Sequence, residues 1–353
     1  MSNIENALKI FSSLNNNDKA IISKCLYSHI PTSFQLSADI FFRDVRFNGT
    51  VCCTKCGSTS IIKNGKRKDG TQKYVCKDCR TNFVVSSGTV LEGTKKPFET
   101  WIRFINCMLD DNTLSQCAEK CGIHINTAFL WRHKILSASQ EQNKDQVLEG
   151  NIQIDETYFR ESYKGNHSNN KTFVWTRSAY ERGSSSKADK SSIRKRGLSS
   201  EQVCVPCAIT SSRLTIAKVC KLGSASVKGL MSVFENHIAE GSTIISDCYK
   251  SYPAFARNIK ASLCQIDDKT PFDKEFNIQR VNYMHSAMKR QFNNLYKGVS
   301  TKYLNHYIEL TRINLLAKSS RADKLRIMLE LLINCTVHTR TDNAKMSRMP
   351  ILC

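Results

Sequence analysis

The spacing of apolar residues changes several times along this chain, and each change marks an element. From residue 1 to about 45, Leu8, Phe11 and Leu14, then Ile21, Ile22, Cys25 and Leu26, follow helix-like spacing on either side of a turn-like Asn-Asn-Asn-Asp at 16–19. One or two short helices are predicted there, with no chemistry attached. Between 57 and 75, Ile61, Ile62, Tyr74 and Val75 alternate with polar and basic residues around Asp69-Gly70, which reads as two strands and a turn. In 113–136, Leu114, Cys117, Ala118 and Cys121 keep helical spacing, Gly122 breaks it, and Ala128, Phe129, Trp131 and Ile135 resume it. The polar stretch 141–150 reads as a linker. Beyond it, β-prone runs at 151–159, 173–175, 203–209 and 214–219 precede a helical segment at 226–239 and a short strand at 242–246. A helix follows. This succession of strands, a helix and a further strand predicts an α/β fold with a mixed sheet flanked by helices. In 281–298, Val281, Met284, Met288 and Phe292 form one helical stripe, while Asn282, His285, Ser286 and Lys289 form the neighbouring polar one. The tail from 321 offers an amphipathic helix, equally suited to internal packing and to an interface.

These boundaries divide the 353 residues into a short helical N-terminal region (1–45), a cysteine-bearing ribbon (46–90), a helical region (97–140), an α/β domain (150–315) with a basic insertion near 177–200, and a C-terminal helix and tail (316–353). The formal net charge of +21 changes the picture, because such a chain either repels itself or meets a polyanion, and nucleic acid is the economical partner. Clusters at 63–68 and 193–196 serve either phosphate contact or nuclear import. The 16 cysteines are scattered, and with no secretory leader or long apolar run they read as reduced thiols inside a cell: the nucleus of a eukaryote, or the cytoplasm and nucleoid of a prokaryote. No membrane association is expected.

Four cysteines are an exception. Cys53, Cys56, Cys76 and Cys79 stand as two CxxC pairs nineteen residues apart, the spacing of a structural Zn2+ site in a zinc ribbon. A unit this small has little core, so bound metal would supply much of its folding free energy. Cys204 and Cys207 form another CxxC with no matching pair and are expected to be packed thiols. The paired helices of 113–136 fit a helix-turn-helix, with Phe129 or Trp131 holding the second helix in place and Asn126, Thr127 or Arg132 facing a groove. An ordinary helical hairpin fits as well.

Two carboxylates complete the chemistry. Asp155 sits within a strand that holds it rigidly while Glu156 points to the opposite face, and Asp247 ends a second short strand. Together they can share divalent ions that activate a hydroxyl and neutralise a scissile phosphate. On the later helix, Asn282 is suited to coordinate metal or orient substrate, and Lys289 to hold a phosphate.

The succession CTKCGS, GTQKYVCKDCRTNF, IDETYF, SDCYKSY and VNYMHSAMKRQFNNLYKGVSTKYLNHYIELTRIN resembles the IS1595-type, ISXO2-like transposases and their eukaryotic Merlin relatives, over approximately residues 40–315. The resemblance implies a zinc ribbon that recognises element-end DNA and an RNase H-like domain of the DDE superfamily that performs hydrolysis and strand transfer with Mg2+ or Mn2+. It implies Asp155 and Asp247 as the first two acidic residues, Asn282 at the third position and Lys289 as the lysine that follows, with terminal repeats and target DNA as partners and a homo-oligomer as a sensible assembly. Asn282 stands where many relatives carry Glu, and His285 where many carry an aromatic residue. Either an active site of the Asp-Asp-Asn type or a domesticated DNA-binding derivative follows, with Glu275 or Glu309 as a further source of charge.

Overall fold

In the computed structural model the described residues are 43, 45–47, 50–68, 70–162, 164, 202–267, 273, 276–315 and 321–335. The helices expected around Leu8 to Leu26, the strand at 173–175, the insertion at 177–200 and Glu275 lie outside them. The chain divides into two compact units, 1–102 and 103–353.

In the first unit, β1 (Ile61–Lys66), β2 (Gln72–Cys76) and β3 (Asn82–Val84) form an antiparallel sheet in that order. Ile61 pairs with Cys76 and Lys63 with Tyr74, and the register slips before Lys66 pairs with Gln72. The core is small: Phe47, Cys53, Tyr74, Cys76 and Phe83, with the Tyr74 and Phe83 rings stacked at 5.5 Å. The two CxxC loops are built alike. Gly57 N–H donates to Cys53 O and Arg80 N–H to Cys76 O, and both residues adopt positive φ, 75° and 58°. Glycine takes that conformation freely; arginine holds it at a cost of about 1 kcal/mol.

The second unit starts with helices. α1 (Phe98–Leu109) spans the division; α2 (Leu114–Cys121) and α3 (Ile125–Gln142) follow. Thr113 and Gln116 close a capping box at the start of α2, and Gly122, at φ 59°, ends it in the left-handed conformation. The expected pair of helices across a glycine is therefore present. α3 packs against α7 (Leu304–Leu315) and α8 (Arg321–Asn334), which makes the tail helix an internal packing element.

Arg132 corrects the sequence reading. Expected to face a groove, it is fully buried, because Ala128, Arg132, Ile135 and Ser139 share one face of α3 and all are inside. Its guanidinium donates to Asn112 O at 2.7 Å and contacts Cys117 Sγ at 3.2 Å, over the Tyr296 ring. Trp131 is held as expected, edge-on to Phe104.

The sheet of this unit consists of β4 (Asn151–Arg160), β5 (Gln202–Thr210), β6 (Thr215–Ala217), β7 (Lys221–Leu222), β8 (Thr243–Ser246) and β9 (Ser262–Gln265). The order is β6-β5-β4-β8-β9, with β7 also on β5. β4, β5 and β6 are antiparallel, whereas β4, β8 and β9 are parallel. A mixed sheet flanked by helices is thus observed, consistent with an RNase H-like fold; β9, only four residues long, was not anticipated. Arg160 at the end of β4 pairs with Gln202 at the start of β5. On β5, residues 203 and 204 pair with β7 and residues 207–209 with β6, so Pro206, which has no N–H, falls between these outer partners.

Period-two alternation gives β4 two different faces. Ile152 and Ile154 join Leu230, Phe234, Ile244 and Phe255 in the main core, under α4 (Val227–Phe234) and α5 (Tyr252–Asn258). Gln153 bonds to the start of α6 (Gln279–Lys289), and Phe159 meets Phe292 on the π-helical segment Arg290–Leu295 that continues it. Cys204 and Cys207 are buried, as expected of packed thiols. Among the described residues no helix is long and apolar enough to cross a membrane.

A buried polar pair joins α3 to α7. His133 Nδ1 and His306 Nδ1 lie 2.6 Å apart, so one ring donates and the other accepts. Burial holds both rings below the usual imidazole range, His306 at about 4, and each ring's positive charge would disfavour the other. Both stay neutral in the fold yet protonate below about pH 6.5 once unfolded, so their contribution is complete above that pH and is lost as pH falls toward 4. The urea midpoint is expected to drop between pH 7 and 5. In His306→Leu the mean slope of stability against pH over that range should be smaller by about 0.9 kcal/mol per unit; an unchanged slope would show that the ring protonates in the native state.

Candidate functional site

Parallel pairing sets the first feature of the site. β4 and β8 are in register at Asn151 with Thr243, Ile152 with Ile244 and Gln153 with Ile245, and Asp155 and Asp247 each stand two residues beyond the last of these pairs. Neighbouring strands lie about 4.8 Å apart, and residues two apart share a face. The two acids are near enough for the charge of Asp247 to act on Asp155. Asp155 is pushed up to about 6, first by burial, with the Asp247 charge adding to the effect; the Glu156 amide, donating to Asp155 Oδ1 at 2.8 Å, and Lys289 oppose it. Asp247 Oδ1 accepts from Tyr249 N–H at 3.1 Å, and its carbonyl accepts from Gln265 Nε2 at 3.0 Å.

The helix beside them is pinned at its start to β4 and, beyond the π segment that continues it, to residues that follow β4. Ile278 gives α6 no side-chain cap; instead Gln153, fully buried, accepts from Arg280 N–H at 2.8 Å and Val281 N–H at 3.2 Å and donates to Asn277 Oδ1 at 3.1 Å. A strand residue thus satisfies the open amides of the first turn. Beyond the π segment, Lys164 Nζ donates to Tyr296 O at 2.6 Å and Gly298 O at 2.9 Å, while Ser162 and Thr301 exchange hydrogen bonds. Asp155 lies between the two anchors. Gln153 was missed in the sequence, where the signal was a lone amide between Ile152 and Ile154, in step with Asp155.

On α6 and the π segment after it, Val281, Met284, Met288 and Phe292 are buried as the apolar stripe predicts. His285 Nδ1 is 3.7 Å from Asp155 Oδ2, and burial, then Lys289, lowers its pKa to about 4. The imidazole is neutral at pH 7. It was expected on the polar stripe; instead it is buried against the acid. Lys289, one turn on, is exposed and close enough to lower the Asp155 pKa. Asn282, one turn before His285, is exposed, and its side chain makes no hydrogen bond among the described residues. The structure thus brings Asp155, Asp247, His285 and Lys289 together, with Asn282 one turn from His285. Glu156 points to the opposite face, where its Oε1 accepts from Tyr252 Oη at 2.8 Å; burial, then Asp155 and Asp247, pushes it to about 7. Glu309 is committed to Ser139 and Arg312, each at 2.9 Å, and supplies no charge to the acids.

The ribbon carries the second cluster. Every pair of sulfurs among Cys53, Cys56, Cys76 and Cys79 lies within 4.8 Å, with Cys53 to Cys79 at 3.5 Å and Cys56 to Cys76 at 3.6 Å. Four thiolates about 2.3 Å from one tetrahedral ion would stand roughly 3.8 Å apart. The Thr81 hydroxyl, then its amide, lowers Cys79 to about 6, which favours the ligating thiolate. Lys63, Lys66, Arg67 and Lys68 are exposed on β1 and the turn after it. At the start of α3, Asn126 is exposed and Thr127 half-buried.

Residues 147–311 match the family described as the ISXO2-like transposase domain. An uncharacterized protein in transposable element ISH50 of Halobacterium salinarum is 23% identical over 278 residues, covering 75% of this chain and 85% of that protein. A chain in the crystal structure of a pre-cleavage Mos1 transpososome aligns over 64% of this chain and 76% of its own length at 8% identity, with a TM-score of 0.19, too slight to indicate a shared fold. The family match runs from the residues just before β4 into α7, the stretch that carries Asp155, Asp247, His285 and Lys289.

Proposed function

We propose that the protein is a DDE-type transposase that binds element-end DNA and catalyses phosphodiester hydrolysis followed by strand transfer. The observation that carries this reading is that β4 and β8 run in parallel to within two residues of Asp155 and Asp247, whose charges interact, inside a segment matching a transposase domain. Burial and the neighbouring Asp247 charge disfavour the ionised form of Asp155, which a cation would relieve, and the carboxylate oxygens of the two acids suit Mg2+ or Mn2+. Asp155, Asp247 and the Asn282 oxygen would hold such an ion, which when bound would activate the attacking hydroxyl and neutralise phosphate charge.

The chain's own residues supply the rest. β4 holds Asp155 at a fixed depth, and the neutral His285 ring packs against it without competing as a cation. Lys289 offers its ammonium to the phosphate. A water oxygen attacks phosphorus and the bond to the leaving 3′ oxygen breaks, freeing a 3′-hydroxyl. That hydroxyl then attacks a target phosphodiester in line, forming one P–O bond as another breaks. In the ribbon, Cys53, Cys56, Cys76 and Cys79 would hold one structural Zn2+, and its basic strand, with α2 and α3 as a helix-turn-helix, would grip duplex DNA. A second reading, a DNA-binding derivative without cleavage, draws on Asn282, a neutral amide that attracts a cation less than a carboxylate does.

With DNA bearing the terminal repeats of the encoding locus, Asp155→Asn and Asp247→Asn are each expected to lower metal-dependent cleavage by a factor on the order of 10³ while end binding stays intact. Cleavage retained by either variant would overturn the assignment, and tight binding with no cleavage by the wild type would favour the second reading. Elemental analysis should find one zinc ion per chain, lost in Cys76→Ser together with end binding; a zinc-free wild type that binds DNA normally would remove the metal from the ribbon.

A further inference from the structure

The pairing of β4 with β8 stops at Gln153 and Ile245, two residues short of the acids. On its other side, the Asp247 segment is held by β9, through Ile266 N–H to Ser246 O at 2.8 Å and Gln265 Nε2 to Asp247 O at 3.0 Å. Toward β4, the segment is tied five residues later. Tyr252, the first residue of α5 and fully buried, donates its hydroxyl to Glu156 Oε1 at 2.8 Å. Between the acid and that tyrosine the backbone is tightly wound: Tyr249 N–H donates to Asp247 Oδ1, and Tyr252 N–H to Tyr249 O at 3.2 Å.

We propose that Glu156 and Tyr252 are a positioning pair that fixes the separation of Asp155 and Asp247. Glu156 follows Asp155 on the same strand with its side chain on the opposite face, so a bond from it to the start of α5 couples one acid's strand to the other acid's segment. The bond lies on the face of β4 opposite the one that carries Asp155. A hydrogen-bond acceptor, not a charge, is what the pair requires, since Tyr252 donates. Glutamine at 156 keeps that acceptor; alanine removes it, and phenylalanine at 252 removes the donor.

The inference rests on the transposase reading for its catalytic consequence, and the test separates the two. Hydrogen exchange is followed by mass spectrometry in the full-length wild type, Glu156→Gln, Glu156→Ala, Tyr252→Phe and the Ala/Phe double variant, alongside single-turnover cleavage of end DNA in Mn2+. Faster exchange in 247–252 is expected in Glu156→Ala and Tyr252→Phe but not in Glu156→Gln. Cleavage should fall on the order of 10²-fold in the first two, as misplacement of a catalytic group by about 1 Å does, with the double variant no worse than the poorer single. Glu156→Gln should cleave near the wild-type rate. Unchanged exchange in Glu156→Ala and Tyr252→Phe would overturn the proposal, as would Glu156→Gln cleaving as poorly as Glu156→Ala. Altered exchange beside a wild type that never cleaves would leave the pair standing and sink the transposase reading.

Discussion

A fully buried amide governs this architecture. Gln153 lies on the face of β4 that also carries Asp155, and its carbonyl oxygen receives the second and third amides of α6, while Asn277, which Gln153 also holds, receives the first. A buried donor left without a partner costs about 1–3 kcal/mol, so this one side chain makes docking of α6 against β4 favourable and fixes where along the strand it docks. Four residues along the helix from Val281 span roughly 6 Å, and two along the strand from Gln153 span a similar length. His285 consequently arrives at Asp155. Lys164, holding the carbonyls after the π segment, fixes the other end, and the acid is framed by contacts that take no part in its chemistry.

The two faces of β4 assign separate tasks to alternate residues. One face is committed to the apolar core, which supplies rigidity. The other is polar and crowded, which raises the affinity of its acids for a positive charge. Placing like charges together under partial burial is unfavourable unless something cationic answers them, and here an exposed lysine does so in part. The surplus of base over acid in the chain as a whole points the same way, toward a polyanion brought close to a small negative centre.

Much of this was legible in the letters. The cysteine spacing announced the ribbon, because ligand geometry constrains sequence directly. Asp155 and Asp247 were legible because each closes or interrupts a β-prone run. Gly122 marked its turn correctly. Arg132 was misjudged because α3 is covered on nearly every side, and a helix without a solvent face gives periodicity nothing to report. β9 escaped because four residues of mixed character carry no pattern. The contact of His285 with Asp155 and the bond from Tyr252 to Glu156 were unreadable for another reason: each joins residues far apart in the chain, and only the packed sheet brings them within reach.

One pairing in the sheet bears on how such a chain can change. Arg160 and Gln202 face each other across β4 and β5, so the chain leaves β4 and enters β5 at a single rung. A chain that departs and returns at neighbouring points can lengthen or shorten without moving either strand, and each doubling of such a loop costs only about 0.6 kcal/mol. The separation of Asp155 from Asp247 is set elsewhere, on the β8 side. Descendants of this sequence are therefore free to change the number of residues between Lys164 and Gln202, so long as Ser162 and Lys164 keep their hold, while the arrangement of the acids is inherited unchanged.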